Sequence, residues 1–366
     1  MELRPKKILL VKLDHIGDFI LSLPSIKLVQ ETFPDAKITL LVGTWNMSIA
    51  NRLSGIHKVL TFDFFSRISE QGMPEDLNSK IPKLRKLLSD NYDIAIDLRR
   101  HPETRGTLLL TNAPIKVGYE AGNRGIDSRL HEYIMPPWEH HINSIPHISE
   151  QIYHLVNTIC KSNKESRDIP DIIFTDKETN DIKKKYSYTL SRPLLIGMNP
   201  GVGSLIRQWP IDYYAELANL FIEKSGAHIV LFGSETERRM IDSVINKIND
   251  KSSVTNMVGE LNISRFMIFI KHCHLFIGNN SGSGHISGIM NVPTLIVFSG
   301  QVMASEWHPL GKNTYLIKKQ LDCVPCYLPY KQSCQHKLEC LTSITPEEVY
   351  LKGMEIISER NITTQG

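Results

Sequence analysis

The chain opens on a short apolar run, Lys6 to Leu13 (KKILLVKL), which gives way at Asp14-His15-Ile16-Gly17-Asp18 to helical spacing over Phe19 to Thr32. This predicts a strand, a tight turn and a helix. The strand pattern returns at Lys37 to Val42, His57 to Phe62 and Tyr92 to Leu98, with helix-like stretches between, notably Ile81 to Leu88. From Ala113 to His147 the pattern loosens into Gly, Pro and polar residues; Ser149 to Ile159 is helical again, and Asp176 to Tyr186 is polar. After Pro193 the alternation restarts. Strands are expected at Leu194 to Met198, His228 to Phe232, His274 to Ile277 and Thr294 to Val297, with helices at Ile211 to Glu223, Glu235 to Ile248, Ile263 to Lys271 and Pro346 to Ser358. Alternating β and α segments predict an α/β protein with parallel, doubly wound sheets. The expected organisation is an N-terminal Rossmann-like domain over 1–175, a linker over 176–192, a second Rossmann-like domain over 193–345 and a helical tail over 346–366. Such halves bind ligands at the carboxyl ends of their strands, so a cleft between them is expected.

Length and charge narrow the function. At 366 residues the chain can build two ordinary cores. Forty-two basic against thirty-nine acidic side chains leave +3, too little field to draw nucleic acid or an anionic membrane. No apolar run approaches the roughly twenty residues needed to span a bilayer, and no signal-peptide pattern follows Met1. The expected location is the cytoplasm, with at most peripheral membrane contact. Of six cysteines, Cys323, Cys326, Cys334 and Cys340 crowd into one loop, a spacing that in a reducing compartment points to a tetrahedral Zn²⁺ or iron site. Four sulfurs leave no open position on the metal, so its role would be structural. Cys160 and Cys273 sit in apolar, helical surroundings and are expected in the core.

Several turns carry candidate chemistry. Gly17-Asp18 lies where the first strand meets the first helix, so the Asp18 carboxylate can serve as a general base or, like Asp14, cap the helix. Asn199-Pro200-Gly201-Val202-Gly203 leads to Arg207-Gln208-Trp209-Pro210, a Gly-rich bend with one cation that suits a phosphate. Glu235 follows the next strand and can accept from ribose hydroxyls or simply charge a helix start. Gly278-Asn279-Asn280-Ser281-Gly282-Ser283-Gly284-His285 ends a strand and exposes a helix amino terminus, an anion site. Arg99, Arg100 and Arg105 follow another strand and either hold an anionic acceptor or are solvated.

Together these motifs resemble glycosyltransferase family 9, which contains the bacterial lipopolysaccharide heptosyltransferases. The resemblance runs from Lys6 to about Tyr350. It rests on Val11-Lys12-Leu13-x3-Gly17-Asp18-x4-Ser22-Leu23-Pro24, Asn199-Pro200-Gly201 with Arg207-x-Trp209-Pro210, Phe232-Gly233-Ser234-Glu235, and Gly278-Asn279-Asn280-Ser281-Gly282 with His285. It implies a GT-B fold and inverting transfer of heptose from ADP-heptose to a hydroxyl of a glycolipid core or a protein, without a catalytic metal. By the same resemblance Asp18 is the base and Arg207 contacts the donor diphosphate. Gly17, Pro200, Gly201, Glu235, Asn280, Ser281, Gly282 and His285 bind the donor, and Arg99, Arg100 and Arg105 the acceptor. Two departures stand out: Arg207 replaces the usual Lys, and Asn280 the usual Asp. The cysteine loop is similar to that of the branch that glycosylates autotransporter proteins. A homo-oligomer is left open, and rival readings are a GT-B-like sugar-nucleotide epimerase or hydrolase, or a non-catalytic partner.

Overall fold

The computed structural model describes residues 3–66, 77–134, 145–163 and 168–363. The chain divides into two compact units, Met1–Ile173 and Phe174–Gly366. In the first, β1 (Lys7–Lys12), β2 (Lys37–Val42), β3 (Lys58–Thr61), β4 (Ile94–Asp97), β5 (Ile115–Tyr119) and β6 (Glu132–Ile134) form a sheet in the order β3-β2-β1-β4-β5-β6. In the second, β7 (Leu195–Asn199), β8 (His228–Leu231), β9 (Val254–Asn256), β10 (Leu275–Asn279), β11 (Thr294–Val297) and β12 (Thr314–Ile317) run β12-β11-β10-β7-β8-β9. All neighbouring strands pair parallel. Numbered from its own first strand, each unit has the order 3-2-1-4-5-6. That order reverses beside β1 and β4 in one unit and beside β7 and β10 in the other, and ligands bind at the carboxyl side of such switch points.

The central strands read as unbroken apolar runs because both faces are covered. Ile8 to Lys12 of β1 are all buried. Leu9, Val11, Leu41 and Ala95 contribute to one core, and Met198, Ile229, Ile277 and Leu295 to the other, where Trp209, Tyr214 and Phe221 fill the space beneath the helices. Cys160 and Cys273 are buried.

The structure corrects four expectations. The helix expected from Phe19 begins at Ile16 and is broken into Ile16–Leu21 and Leu23–Thr32, with Pro24 in the second helix's first turn, where its missing N–H costs no helical bond. The stretch 113–147 is not irregular throughout: it contains β5 and β6, while 135–144 lie outside the described residues. Gly118 hides β5 from pattern reading, and a side chain there would collide with Arg105. The expected linker 176–192 instead forms helices Asp176–Lys185 and Ser187–Leu190. Thr175 and Glu178 cap the first of these reciprocally, and Tyr186 packs edge-on against Phe269 in the second unit. Only Ile182 of that helix is buried, so its sequence shows almost no apolar stripe. Finally, β9 and β12 pass unnoticed in the sequence, being short edge strands with little buried surface.

The closing helix, Pro346–Thr363, packs on Ile211–Ser225, with the Tyr350 and Phe221 rings 5.0 Å apart. Among the described residues no helix is long and apolar enough to cross a membrane.

Candidate active site

At the carboxyl end of β1 the chain turns sharply and starts a helix at Ile16. His15 is the N-cap, with no side-chain capping bond, and Asp18 lies in the first turn. Capping, the rival role for Asp14 and Asp18, is therefore filled by neither. Asp14 is buried and paired with Lys12 at 3.0 Å and with the Arg99 guanidinium. Its backbone carbonyl accepts from Trp45 Nε1 at 2.8 Å and Asn46 Nδ2 at 2.7 Å, which pins the turn. His15 stacks on Trp45 and has Nε2 at 3.0 Å from the Ser66 carbonyl oxygen. The half-buried Asp18 carboxylate takes part in no hydrogen bond or ion pair among the described residues. Burial pulls the nearby Lys12 ammonium down to about 8, with the Asp18 charge acting in the opposite direction.

The three arginines after β4 are not equivalent. Arg105 is fully buried, donates to Asp97 at 2.7 Å and to the carbonyls of Asp97 and Arg99, and so cannot reach an acceptor. Its expected acceptor role is corrected to a structural one. Asp97 is equally buried; burial raises its carboxyl, while Arg105, the Arg99 N–H and the Thr104 hydroxyl act in the opposite direction. Arg99 joins Asp14 and Glu103 and lies 4.5 Å over the Phe65 ring. Arg100 donates to Gln151 at 3.3 Å. Next to them, burial and then the Arg100 and Arg99 charges hold His101 down to about 4.

In the second unit the loops after β7 and β10 are knitted by one residue. Asn279, fully buried, accepts from the Trp209 N–H at 2.9 Å and donates to the Pro200 carbonyl at 2.9 Å. Asn199 accepts from the Gly201 N–H at 2.9 Å, and Trp209 Nε1 donates to the Ile344 carbonyl. Arg207 therefore ends a short turn, Leu205–Arg207, one residue before a doubly anchored tryptophan. A Cβ at Gly201 would overlap the Glu237 carboxylate and force it to shift. Ser281 caps helix Gly282–Ile289 without a side-chain capping bond, and His285 is buried one turn in. Gly284 lets that helix lie against Ile296 of β11. Glu235 is exposed and already carries a two-bond pair with Arg238, both contacts at 2.6 Å.

The structure thus gathers Pro200, Gly201, Arg207, Asn280, Ser281, Gly282 and His285 around the β7–β10 switch point, with Glu235 after the neighbouring β8. Gly17, Asp18, Arg99 and Arg100 cluster at the β1–β4 switch point. Sequence reasoning assigned no role to Lys12, Asn279, Trp45 or Asn46. A lysine closing an apolar strand was the visible signal for the first, and tandem asparagines at a strand end for the second.

Residues 81–337 match the family model of glycosyltransferase family 9 (heptosyltransferase), more than half of the chain. The chain belongs to glycosyltransferase family 9. It is 24% identical over 331 residues to lipooligosaccharide heptosyltransferase 2 of Haemophilus ducreyi, covering 85% of this chain and 88% of that protein. Among solved structures it is similar to the family 9 protein of Veillonella parvula, with TM-score 0.82 and 19% identity over 98% of this chain and 99% of that one. The E. coli ADP-heptose lipopolysaccharide heptosyltransferase II aligns with TM-score 0.74 and 19% identity over 97% and 99%. This family 9 chain is a glycosyltransferase with the two parallel-sheet domains of the GT-B class.

The cysteine loop of this family 9 enzyme has its own environment. Cys323, Cys326, Cys334 and Cys340 line one cavity of about 220 Å³ with Ile206, Gly300 and Leu338. Burial first, then the other three cysteines, push the Cys340 thiol up. The Leu338 N–H donates to Cys334 Sγ at 3.4 Å. Soft donors of this kind suit Zn²⁺ or iron. Among the described residues, however, no group of three or more His, Cys, Asp or Glu side chains is arranged to hold a metal ion. As placed, the loop is a shared thiol cavity and not a closed ligand set. The iron-containing dodecameric glycosyltransferase TibC of enterotoxigenic E. coli shares the fold, with TM-score 0.57 and 11% identity over 100% of this chain and 82% of that one.

Proposed function

We propose that this enzyme moves a heptose from ADP-heptose to a sugar hydroxyl of a lipopolysaccharide-type core glycolipid, with inversion at the anomeric carbon. The Haemophilus ducreyi relative supports the acceptor class, and the E. coli neighbour, named for ADP-heptose, supports the donor. The observation that carries the mechanism is Asp18: a half-buried carboxylate at the sheet's switch point that no described protein group takes up. In this reading Asp18 takes the proton of the acceptor hydroxyl as its oxygen attacks the anomeric carbon and the bond to the diphosphate oxygen breaks. Negative charge grows on the departing ADP. Arg207, the N–H groups at Ser281 and Gly282, and His285 receive it, with Asn280 beside them. Gly17, Pro200 and Gly201 give the turns that let both substrates approach backbone, and Glu235 accepts from the ribose. Arg99 and Arg100 face an anionic acceptor, with the reaction on the cytoplasmic side of the membrane.

The four cysteines are proposed as ligands of one structural Zn²⁺ or iron ion, which requires their side chains to draw together from the cavity they line. Elemental analysis of protein purified without added metal, finding less than one ion per chain, removes this assignment.

The first experiment is thermal stabilisation by a panel of nucleotide sugars including ADP-heptose, on wild type and Arg207→Ala. A rise with ADP-heptose that is lost in the variant supports the donor and the place of its diphosphate. A rise with another sugar nucleotide alone moves the donor, and no rise with any overturns the reading. Asp18→Asn is expected to keep donor binding and lose roughly a hundredfold or more in turnover.

A further inference from the structure

Lys12 closes β1 with its side chain almost out of water, 4% exposed. A buried ammonium is costly to keep unless its surroundings make use of it. Two of its three N–H groups have acceptors: the Asp14 carboxylate at 3.0 Å, and the Leu98 carbonyl, just past the end of β4, at 3.4 Å. These contacts fix the ammonium between the ends of the two strands, beside the turn that leads to Asp18. Among the described residues the third N–H has no acceptor. Asp14 does not depend on this lysine for its counter-charge, since the Arg99 guanidinium pairs with it as well. The other charges that act on the ammonium are those of Asp18, Asp97, Arg99 and Arg100. Asp97 is taken up by Arg105, Arg99 by Asp14 and Glu103, and Arg100 donates to Gln151. Of this group, Asp18 is the carboxylate with no partner among the described residues.

We propose that Lys12 is a positioning residue of the transfer reaction, its ammonium held between the ends of β1 and β4 so that the Asp18 carboxylate stays ionised when the acceptor covers it. This rests on the reading of Asp18 as the base. A half-buried carboxylate loses water as a substrate closes over it, which favours the protonated acid, and a protonated acid cannot take a proton. A fixed cation nearby opposes this. Because that cation is itself shut away from solvent, salt screens it little. Lys12 keeps its own proton throughout: the hydrogen of the acceptor hydroxyl passes to Asp18, and the lysine acts by its charge alone. Although burial lowers the ammonium, it does so only to about 8, which leaves Lys12 mostly cationic at neutral pH.

The test is the pH profile of kcat for heptose transfer from ADP-heptose to a core glycolipid, which reports the base in the substrate-bound enzyme. It is measured on the full chain for wild type, Lys12→Met, Lys12→Gln, Lys12→Arg and Asp18→Asn. In Lys12→Met and Lys12→Gln the acid limb should move up by about one pH unit or more, because the carboxylate has lost its cation. Lys12→Arg, which keeps the charge, should lie near wild type. A limb at the same pH in wild type, Met and Gln overturns the inference, and so does a limb displaced equally in Arg, which would make the shape of the side chain and not its charge decisive. If these outcomes accompany an Asp18→Asn protein that has lost turnover, the reading of Asp18 as base stands. Asp18→Asn with wild-type turnover, or wild type that transfers no heptose, overturns both. Should Lys12→Met fail to fold, Lys12→Gln, which retains a donor for the Leu98 carbonyl, decides.

Discussion

Asp97 and Arg105 form an ion pair at 2.7 Å with neither side chain accessible to solvent. The pair sits under the β1–β4 switch point and is completed by the Thr104 hydroxyl and two backbone carbonyls. Removing one partner strands the other as a buried charge. Arg105→Met is expected to cost about 3–5 kcal/mol of stability, whereas Arg105→Met with Asp97→Leu should recover much of it. Denaturant unfolding of the three proteins checks this. A single variant of near wild-type stability would mean that Asp97 is already neutral in the native enzyme.

Lys12 predicts a pH dependence. Its burial lowers the folded-state ammonium to about 8 from the ordinary 10.5, so between these values the unfolded chain holds a proton that the folded chain has released. The unfolded state binding more protons means that stability rises with pH across this window. Relative to Lys12→Met, wild type should gain up to about 3 kcal/mol between about pH 8 and pH 10.5. Comparing the two proteins cancels the opposite trend of the buried Tyr92 and Tyr214, whose hydroxyls burial pushes upward. Parallel stability curves for the two would show that Lys12 keeps its proton in the fold.

The glycine at 201 supplies a third expectation. Glu237 accepts from the Ser234 N–H and hydroxyl, both at 2.7 Å, while its other oxygen lies against Gly201. Gly201→Ala must push that carboxylate out of its reciprocal cap, a loss of about 0.5–2 kcal/mol. In a double-mutant cycle with Glu237→Ala the two costs should overlap, because the second substitution removes the group the first collides with. Additive costs would mean that the new methyl strains the loop itself.

How far the sequence reveals this arrangement depends on how local each device is. Strands such as Lys37–Val42 and Thr294–Val297 are legible because burial on both faces writes them as continuous apolar runs. The Asn280-Ser281-Gly282 turn is legible because small residues at a strand end have few other uses. Arg105 misleads because its burial depends on Gly118, thirteen residues further on in β5, leaving space for it. The helix Asp176–Lys185 is invisible because its stability comes from caps and charges and not from an apolar face. Asp18 is found by pattern, but only the packing of Asp14 against Lys12 and Arg99 shows that Asp14 is the one of the two aspartates engaged in ion pairs.

Asn279 links the two loops proposed to hold the donor diphosphate, and its two bonds can be separated by substitution. Asn279→Ala leaves the fully buried Trp209 N–H without an acceptor, an expected loss of about 1–3 kcal/mol, and frees the Pro200 loop. Donor affinity should fall with it, since Arg207 lies between the two anchored points. Asn279→Asp keeps the acceptor for Trp209 but sets a second acceptor against the Pro200 carbonyl. Burial and that carbonyl both favour the protonated acid, so the folded-state carboxyl is raised, the folded chain holds the extra proton, and stability falls as pH rises. The Asp variant should therefore be most nearly native at acid pH, and the Ala variant equally impaired throughout. Thermal midpoints of both variants across about pH 5–8 would show this divergence, and coincident curves would mean that the Pro200 contact contributes nothing to holding the loop.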